Sequence, residues 1–301
     1  MKKLFALCAM SLALAGCQTT ASSSKGRLQM KQADVNGVEL PYIEEGLGVP
    51  VVFVHGSMTD YRIWEAERPV VAARYRFIAY NQRYFGSTPW QDNGKNFNQM
   101  THAADLIAFI KSLNVGPVHV VSWSYGGSVA TLAASQHPEQ FRSLTIHEPT
   151  IGSLIVNTPE GKTAASDYVK EVAQLRSVAN SGDTLAATRQ FWEYVVRLPT
   201  GGLDREPQAL QQIVLDNART VPLSLNAPPQ SITCDMVRGI KAPVLVTVGA
   251  NTRPLWSLAA QTMATCAPYG ELVTIADSNH DAIVRQPAAF SRALLDFLAR
   301  H

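Results

Sequence analysis

"VVSWSYGGS", residues 120 to 128, sets two serines one residue apart, with Trp123 between them and a glycine pair behind. The run "VHVVS" before it reads as a strand, and "SVATLAASQHP" after it as a helix that ends before Pro138. The central residue of such a strand-to-helix elbow takes a strained backbone that pushes its side chain out over the sheet. The positions two before and two after must therefore be small. Ser124 has Ser122 and Gly126 at those places, whereas centring the motif on Ser122 puts Val120 at one of them. Ser124 is the nucleophile candidate, and Ser122 is the small spacer.

Outward from the elbow the chain alternates. "PVVFVHG", "YRFIAYN" and "PVHVVS" predict buried strands of a parallel sheet. Between the last two, Ala104, Leu106, Ile107, Ile110 and Leu113 fall at helical spacing, with Gly116 as the stop signal. Upstream, "LQMKQADV" and "VELPYIEEG" flank Asn36-Gly37, a tight-turn dipeptide that predicts an opening antiparallel hairpin. This pattern predicts an α/β fold, a mostly parallel twisted sheet flanked by helices.

A serine hydroxyl needs a base. Near the C-terminus "LVTIADSNHDAIVRQPAAFSRALLDFL" reads as a strand, a polar loop holding His280 and a closing amphipathic helix. His102 and His137 sit on or beside helices, His119 lies in a strand, His147 precedes another candidate and His301 is terminal. His280 alone lies on a late loop after a strand, where a base could reach the elbow.

Together these stretches resemble the α/β-hydrolase superfamily. "VFVHGS" is similar to its strand-then-His-Gly oxyanion loop. "FIAYNQRYFGST" is similar to its Asp-x-Arg-Gly-x-Gly-x-Ser stretch, with Asn81 and Tyr84 in place of Asp and Gly. The likeness runs from about Leu28 to the C-terminus and omits only a central insertion. It implies an oxyanion hole formed by the N–H groups of Ser57 and Tyr125, whose side chains are free to vary, with Tyr125 and Met58 expected to line an acyl pocket. It implies no metal or organic cofactor.

The third triad member departs from the commonest pattern. After "APVLVTVG" the segment Ala250-Asn251-Thr252 carries no carboxylate. One strand earlier "FRSLTIHEPT" ends in Glu148, where some branches of the superfamily, including haloalkane dehalogenases, place the acid. Glu148 leads, and Asp277 and Asp281 stay open as alternatives beside it.

Residues 151–240 read as a helical cap, set between core segments 28–150 and 241–301. Three helical patterns occur in it: "KTAASDYVKEVAQLRSVANSG", "DTLAATRQFWEYVVRLP" and "EPQALQQIVLDNARTVP". Phe191, Trp192, Tyr194 and Leu198 fall at helical spacing, which suits core packing or an apolar substrate face.

The chain has 301 residues, 46% hydrophobic and 17% charged, with 26 basic against 24 acidic side chains. That balance gives nucleic acid no basic surface. Residues 1–16 read as an export signal, with Lys2 and Lys3 before a short apolar run. Leu14-Ala15-Gly16-Cys17 resembles a bacterial lipobox, which implies lipid on Cys17, a polar tether over 17–27 and, with Gln18 next, an outer-membrane location facing the periplasm. Of the other cysteines, Cys234 and Cys266 remain after export, either as a disulfide or as two buried thiols. The expected function is a serine hydrolase cleaving a small-molecule or lipid-like ester through an acyl-enzyme. Carbon–carbon bond hydrolysis or acyl transfer would use the same residues, and a non-catalytic binding lipoprotein would follow from a broken triad.

Overall fold

The computed structural model describes residues 28–301, so the expected signal, tether and Cys17 lie outside the described residues. The strands are β1 (Lys31–Val35), β2 (Val38–Glu45), β3 (Pro50–Val54), β4 (Arg76–Tyr80), β5 (Val118–Trp123), β6 (Phe141–His147), β7 (Val244–Gly249) and β8 (Gly270–Ile275). They form one eight-stranded sheet in the order β1-β2-β4-β3-β5-β6-β7-β8. β1 and β2 are antiparallel, as is β2 to β4, and the remaining pairs are parallel. The expected α/β architecture is present.

Every residue of β3, β5 and β7 is buried. Strands covered by helices on both faces have no solvent side to serve, which is why their sequences are near-continuous apolar runs. The opening hairpin turns at Asn36 and Gly37, both at positive φ (46° and 76°), as a two-residue primed turn requires.

The helices are α1 (Arg68–Ala72), α2 (Gln99–Ser112), α3 (Tyr125–Gln136), α4 (Pro159–Asn180), α5 (Thr184–Val195), α6 (Gln208–Asp216), α7 (Val221–Asn226), α8 (Cys234–Arg238), α9 (Pro254–Cys266), α10 (Ala282–Arg285) and α11 (Pro287–Leu298). α2, α3, α8 and α9 pack in succession, and α1 packs against α11. α2 stops before the expected glycine. Asn114 takes the left-handed conformation (φ 51°) just past its end, and Gly116 serves the turn that follows. Among the described residues no helix is long and apolar enough to cross a membrane.

The segment between β6 and β7 forms the three expected helices as α4, α5 and α6, and also α7 and α8, which carry no long periodic pattern. α5 ends at Val195, so Leu198 lies beyond it. Cys234 at the start of α8 is joined by a disulfide to Cys266 at the end of α9, with Cα atoms 5.3 Å apart. A partly buried ionic junction fastens α6 to the loop after β3. Arg62 bridges Asp60 and Asp216 (2.6 and 2.8 Å), and Asn217 donates to Asp60 at 2.8 Å.

Candidate active site

The site is built at the C-terminal ends of the strands. β5 runs into Ser124, whose φ of 56° and ψ of −118° lie outside the helical and strand regions, and α3 begins at the next residue. A Cβ on Gly126 would stand 2.4 Å from the His55 carbonyl oxygen and 2.6 Å from that of Val54, so only glycine lets α3 start against β3. Ser122 is buried, with its hydroxyl donating to the Thr145 carbonyl rather than facing the site.

Ser124 Oγ lies 2.8 Å from His280 Nε2, and His280 Nδ1 lies 2.6 Å from Glu148 Oε2. The structure therefore brings Ser124, His280 and Glu148 into one hydrogen-bonded line. Asp277 is exposed, and Asp281 accepts from Arg285 at 2.9 Å instead of from His280. Asn251 is exposed on the loop after β7. Its neighbour Thr252, passed over in sequence, donates its hydroxyl to Glu148 Oε2 at 2.7 Å, and the Gly249 N–H donates to Oε1 at 2.7 Å. The loop that commonly carries the acid in the resembled family here supplies donors to an acid from the neighbouring strand.

These contacts set the charge of Glu148. Burial pushes its carboxyl up, but the His280 hydrogen bond and charge, the His147 ring and the Gly249 N–H together hold it below its ordinary value. With the carboxylate ionised, His280 Nδ1 is the donor toward Glu148 and the Nε2 lone pair faces the Ser124 hydroxyl. His147 is buried and drawn down to about 4, mainly by that burial, so it stays neutral.

Thr150 and Trp256 also escaped the sequence reading. The Trp256 Nε1–H donates to Thr150 Oγ1 at 3.0 Å, and Thr150 Oγ1 lies 3.2 Å from Ser124 Oγ. With Ser124 donating to His280, the Thr150 hydroxyl donates to Ser124. Every proton in the line from Trp256 to Glu148 then points the same way. The Trp256 ring packs on His280 at 4.2 Å between centroids, and the Trp123 Nε1–H donates to the His280 carbonyl at 2.8 Å. The histidine is thus clamped on its ring face and its backbone.

Ser57 and Tyr125 both line the cavity in front of Ser124. Tyr125 is the first residue of α3, so its N–H has no intrahelical partner. Among the described residues the Ser57 N–H has no acceptor. Met58, at φ 57°, turns the chain just after Ser57. Behind them His55, drawn down to about 4 by burial, donates Nδ1–H to the Gly56 carbonyl (2.9 Å) and accepts the Gln82 N–H at Nε2 (3.1 Å). A neutral His55 thereby fixes the loop that carries Ser57. Tyr125 is held at its hydroxyl by His102 Nδ1 at 2.7 Å.

The cavity has a volume of about 560 Å³. Met58, Val172, Phe191, Trp192, Leu255 and Trp256 are among its walls, so Phe191 and Trp192 face it, while Tyr194 is covered by the Arg253 guanidinium at 4.1 Å. Among the described residues no three His, Cys, Asp or Glu side chains converge to hold a metal ion.

The chain is 26% identical over 270 residues to the "Putative non-heme bromoperoxidase BpoC" of Mycobacterium tuberculosis H37Rv, covering 87% of this chain and 98% of that protein. The crystal structure of that protein superposes with a TM-score of 0.66 at 25% identity, over 87% of this chain and 96% of that one. An enol-lactonase from Burkholderia xenovorans LB400 shares the fold with a TM-score of 0.73 at 17% identity, over 89% of this chain and 100% of that one. So does the haloalkane dehalogenase DatA from Agrobacterium tumefaciens C58, at 0.70 and 18%, over 90% and 96% of the two chains. Residues 49–283 match the family described as alpha/beta hydrolase fold, and the chain belongs to that family.

Proposed function

We propose that the protein is a serine hydrolase that cleaves a carboxylic ester or related acyl bond through an acyl-enzyme. The observation that carries this reading is the unbroken line Glu148, His280, Ser124, with the serine opening on a largely apolar cavity. Ser124 Oγ attacks the substrate carbonyl carbon while His280 Nε2 takes the hydroxyl proton. Glu148 stabilises the imidazolium so formed and keeps its orientation. The carbonyl oxygen gains negative charge and is received by the N–H groups of Ser57 and Tyr125. Collapse of the tetrahedral species breaks the ester bond, and His280 returns the proton to the departing alcohol. Water then repeats the sequence on the acyl-serine, with His280 again as base, releasing the acid and restoring Ser124.

The same proposal places the protein outside the cytoplasm, anchored by lipid on Cys17 at the outer membrane. Support comes from the Leu14-Ala15-Gly16-Cys17 sequence and from the Cys234–Cys266 disulfide, which suits an oxidising compartment. Fatty-acid label should enter the wild-type chain and be absent from Cys17→Ser.

Hydrolysis of p-nitrophenyl butyrate tests the chemistry. Turnover is expected from the purified protein and none above buffer from Ser124→Ala. Activity retained by that variant assigns the reaction to another group.

A further inference from the structure

We infer, resting on the hydrolase reading above, that the site selects esters carrying an oxyanion at the far end of a largely apolar chain. Helix α4 carries one wall of the path. Tyr168, Val169, Val172, Ala173 and Arg176 all line the cavity, the spacing of one helical face. Tyr168 marks the catalytic end, with its ring 5.9 Å from that of Trp256, which in turn packs on His280 at 4.2 Å. Arg176 lies eight positions further along α4. At 1.5 Å per residue that is about 12 Å down the axis. An extended chain advances roughly 1.2 Å per bond, so about ten bonds span this stretch of α4 alone, and the reach from Tyr168 back to the scissile carbonyl adds to them.

The walls between these ends are mostly apolar, with Ser224, Gln230 and Ser231 as polar members near α7. Val169, Val172 and Ala173 face the cavity from α4, and Leu225, Ala227 and Pro228 line it from the segment around α7. Val169 and Val156 are also exposed to solvent, so the apolar lining reaches the rim.

Arg176 breaks this apolar character. Among the described residues that line the cavity it is the one lysine or arginine, and none of them is an aspartate or glutamate. Its Nε donates to the Leu225 carbonyl at 2.8 Å, which fixes the guanidinium at the cavity wall. Among the described residues neither Nη group has an acceptor and no carboxylate pairs with it. A guanidinium keeps its charge at every relevant pH, and its fork matches an oxyanion by two parallel hydrogen bonds. The protein supplies the apolar sleeve and the cation, so the ligand supplies the methylene chain and the anion.

The test uses the full-length protein in detergent with two substrate sets. One consists of p-nitrophenyl esters of ω-carboxy acids from about four to about twelve carbons long, each beside its methyl-terminated counterpart. The other carries the carboxylate on the alcohol side, as butyrate esters of ω-hydroxy acids beside those of plain alcohols. The expected result is a carboxylate-over-methyl ratio of kcat/KM that is near one for the shortest chains and rises well above one for the longer chains of one set. Arg176→Ala lowers that ratio about tenfold or more, and Arg176→Lys keeps part of it. A ratio near one at every length in both sets, or one that Arg176→Ala leaves unchanged, overturns the inference. Absence of any hydrolysis, p-nitrophenyl butyrate included, counts against the hydrolase reading instead. Quenching of Trp192 and Trp256 fluorescence by ω-carboxy fatty acids then decides the inference. Arg176-dependent binding upholds it, and binding equal in wild type and Arg176→Ala overturns it.

Discussion

The Glu148 carboxylate meets His280 Nδ1 at 2.6 Å from a backbone held at φ 45°, a left-handed conformation directly before Pro149. A glutamate in that region, followed by a residue that restricts it further, costs on the order of 1 to 3 kcal/mol. The cost is met where the surrounding contacts over-determine the residue, and here the Glu148 N–H donates to the Thr247 carbonyl while Gly249, Thr252 and His280 grip the side chain. Ser124 (φ 56°), Met58 (φ 57°) and Asp277 (φ 50°) stand at the ends of three other strands that deliver the site. At these four positions the chain turns sharply as it leaves the sheet.

Thr252, rather than Asn251, is the position from which a replacement acid can act. Its hydroxyl sits 2.7 Å from Glu148 Oε2, while Asn251 is exposed. Glu148→Gln combined with Thr252→Asp is therefore expected to recover at least tenfold over Glu148→Gln alone in kcat, and Asn251→Asp in the same background is expected to recover none. Steady-state kinetics on p-nitrophenyl butyrate checks both, and recovery by Asn251→Asp alone contradicts the geometry.

The disulfide between Cys234 and Cys266 closes a loop of 32 residues. Its chain-entropy contribution is about 3 to 4 kcal/mol, or roughly 6 to 15 °C in Tm. Calorimetry of the Cys234→Ser/Cys266→Ser double variant should show that loss. An unchanged Tm, or two free thiols in the non-reduced wild type, contradicts it.

Glu67 is fully buried, and neither carboxyl oxygen has a hydrogen-bond partner. Burial raises its carboxyl from 4.5 to about 8. Below the unfolded value both states hold the proton and stability is complete. Between 4.5 and about 8 the unfolded chain ionises first, and stability falls as pH rises. The loss at neutral pH is on the order of 3 kcal/mol. Glu67→Gln should therefore gain several degrees of Tm on wild type between pH 5 and pH 8. A gap that does not widen over that range shows that Glu67 is already ionised in the folded protein.

The strand ends were legible because each carries a local signature. The small residues around Ser124 express a backbone collision that the Gly126 geometry shows directly, and the hairpin at Asn36-Gly37 expresses two positive φ values. Glu148 could be named because it ends the strand where some branches of the resembled superfamily place the acid, while the loop after the next strand lacks a carboxylate. Thr150, Thr252 and Trp256 could not, since a lone threonine in a polar loop or a tryptophan on an amphipathic helix has no periodic or spacing signal. They join the site only when β6, β7 and α9 come together. α7 and α8 were missed for a related reason. Each is short, and flanking prolines and serines mask its pattern.

Covalent labelling of the purified protein by a fluorophosphonate, with the modified peptide mapped by mass spectrometry, tests the catalytic assignment most directly. A serine becomes reactive toward this probe only when a base activates it and donors receive the developing oxyanion. The expected result is one label per chain, on Ser124, with the rate reduced in Glu148→Gln by several orders of magnitude, about 10⁴ for loss of a triad carboxylate. No labelling of the folded wild type, label on another residue, or a Glu148→Gln rate equal to wild type would contradict the account.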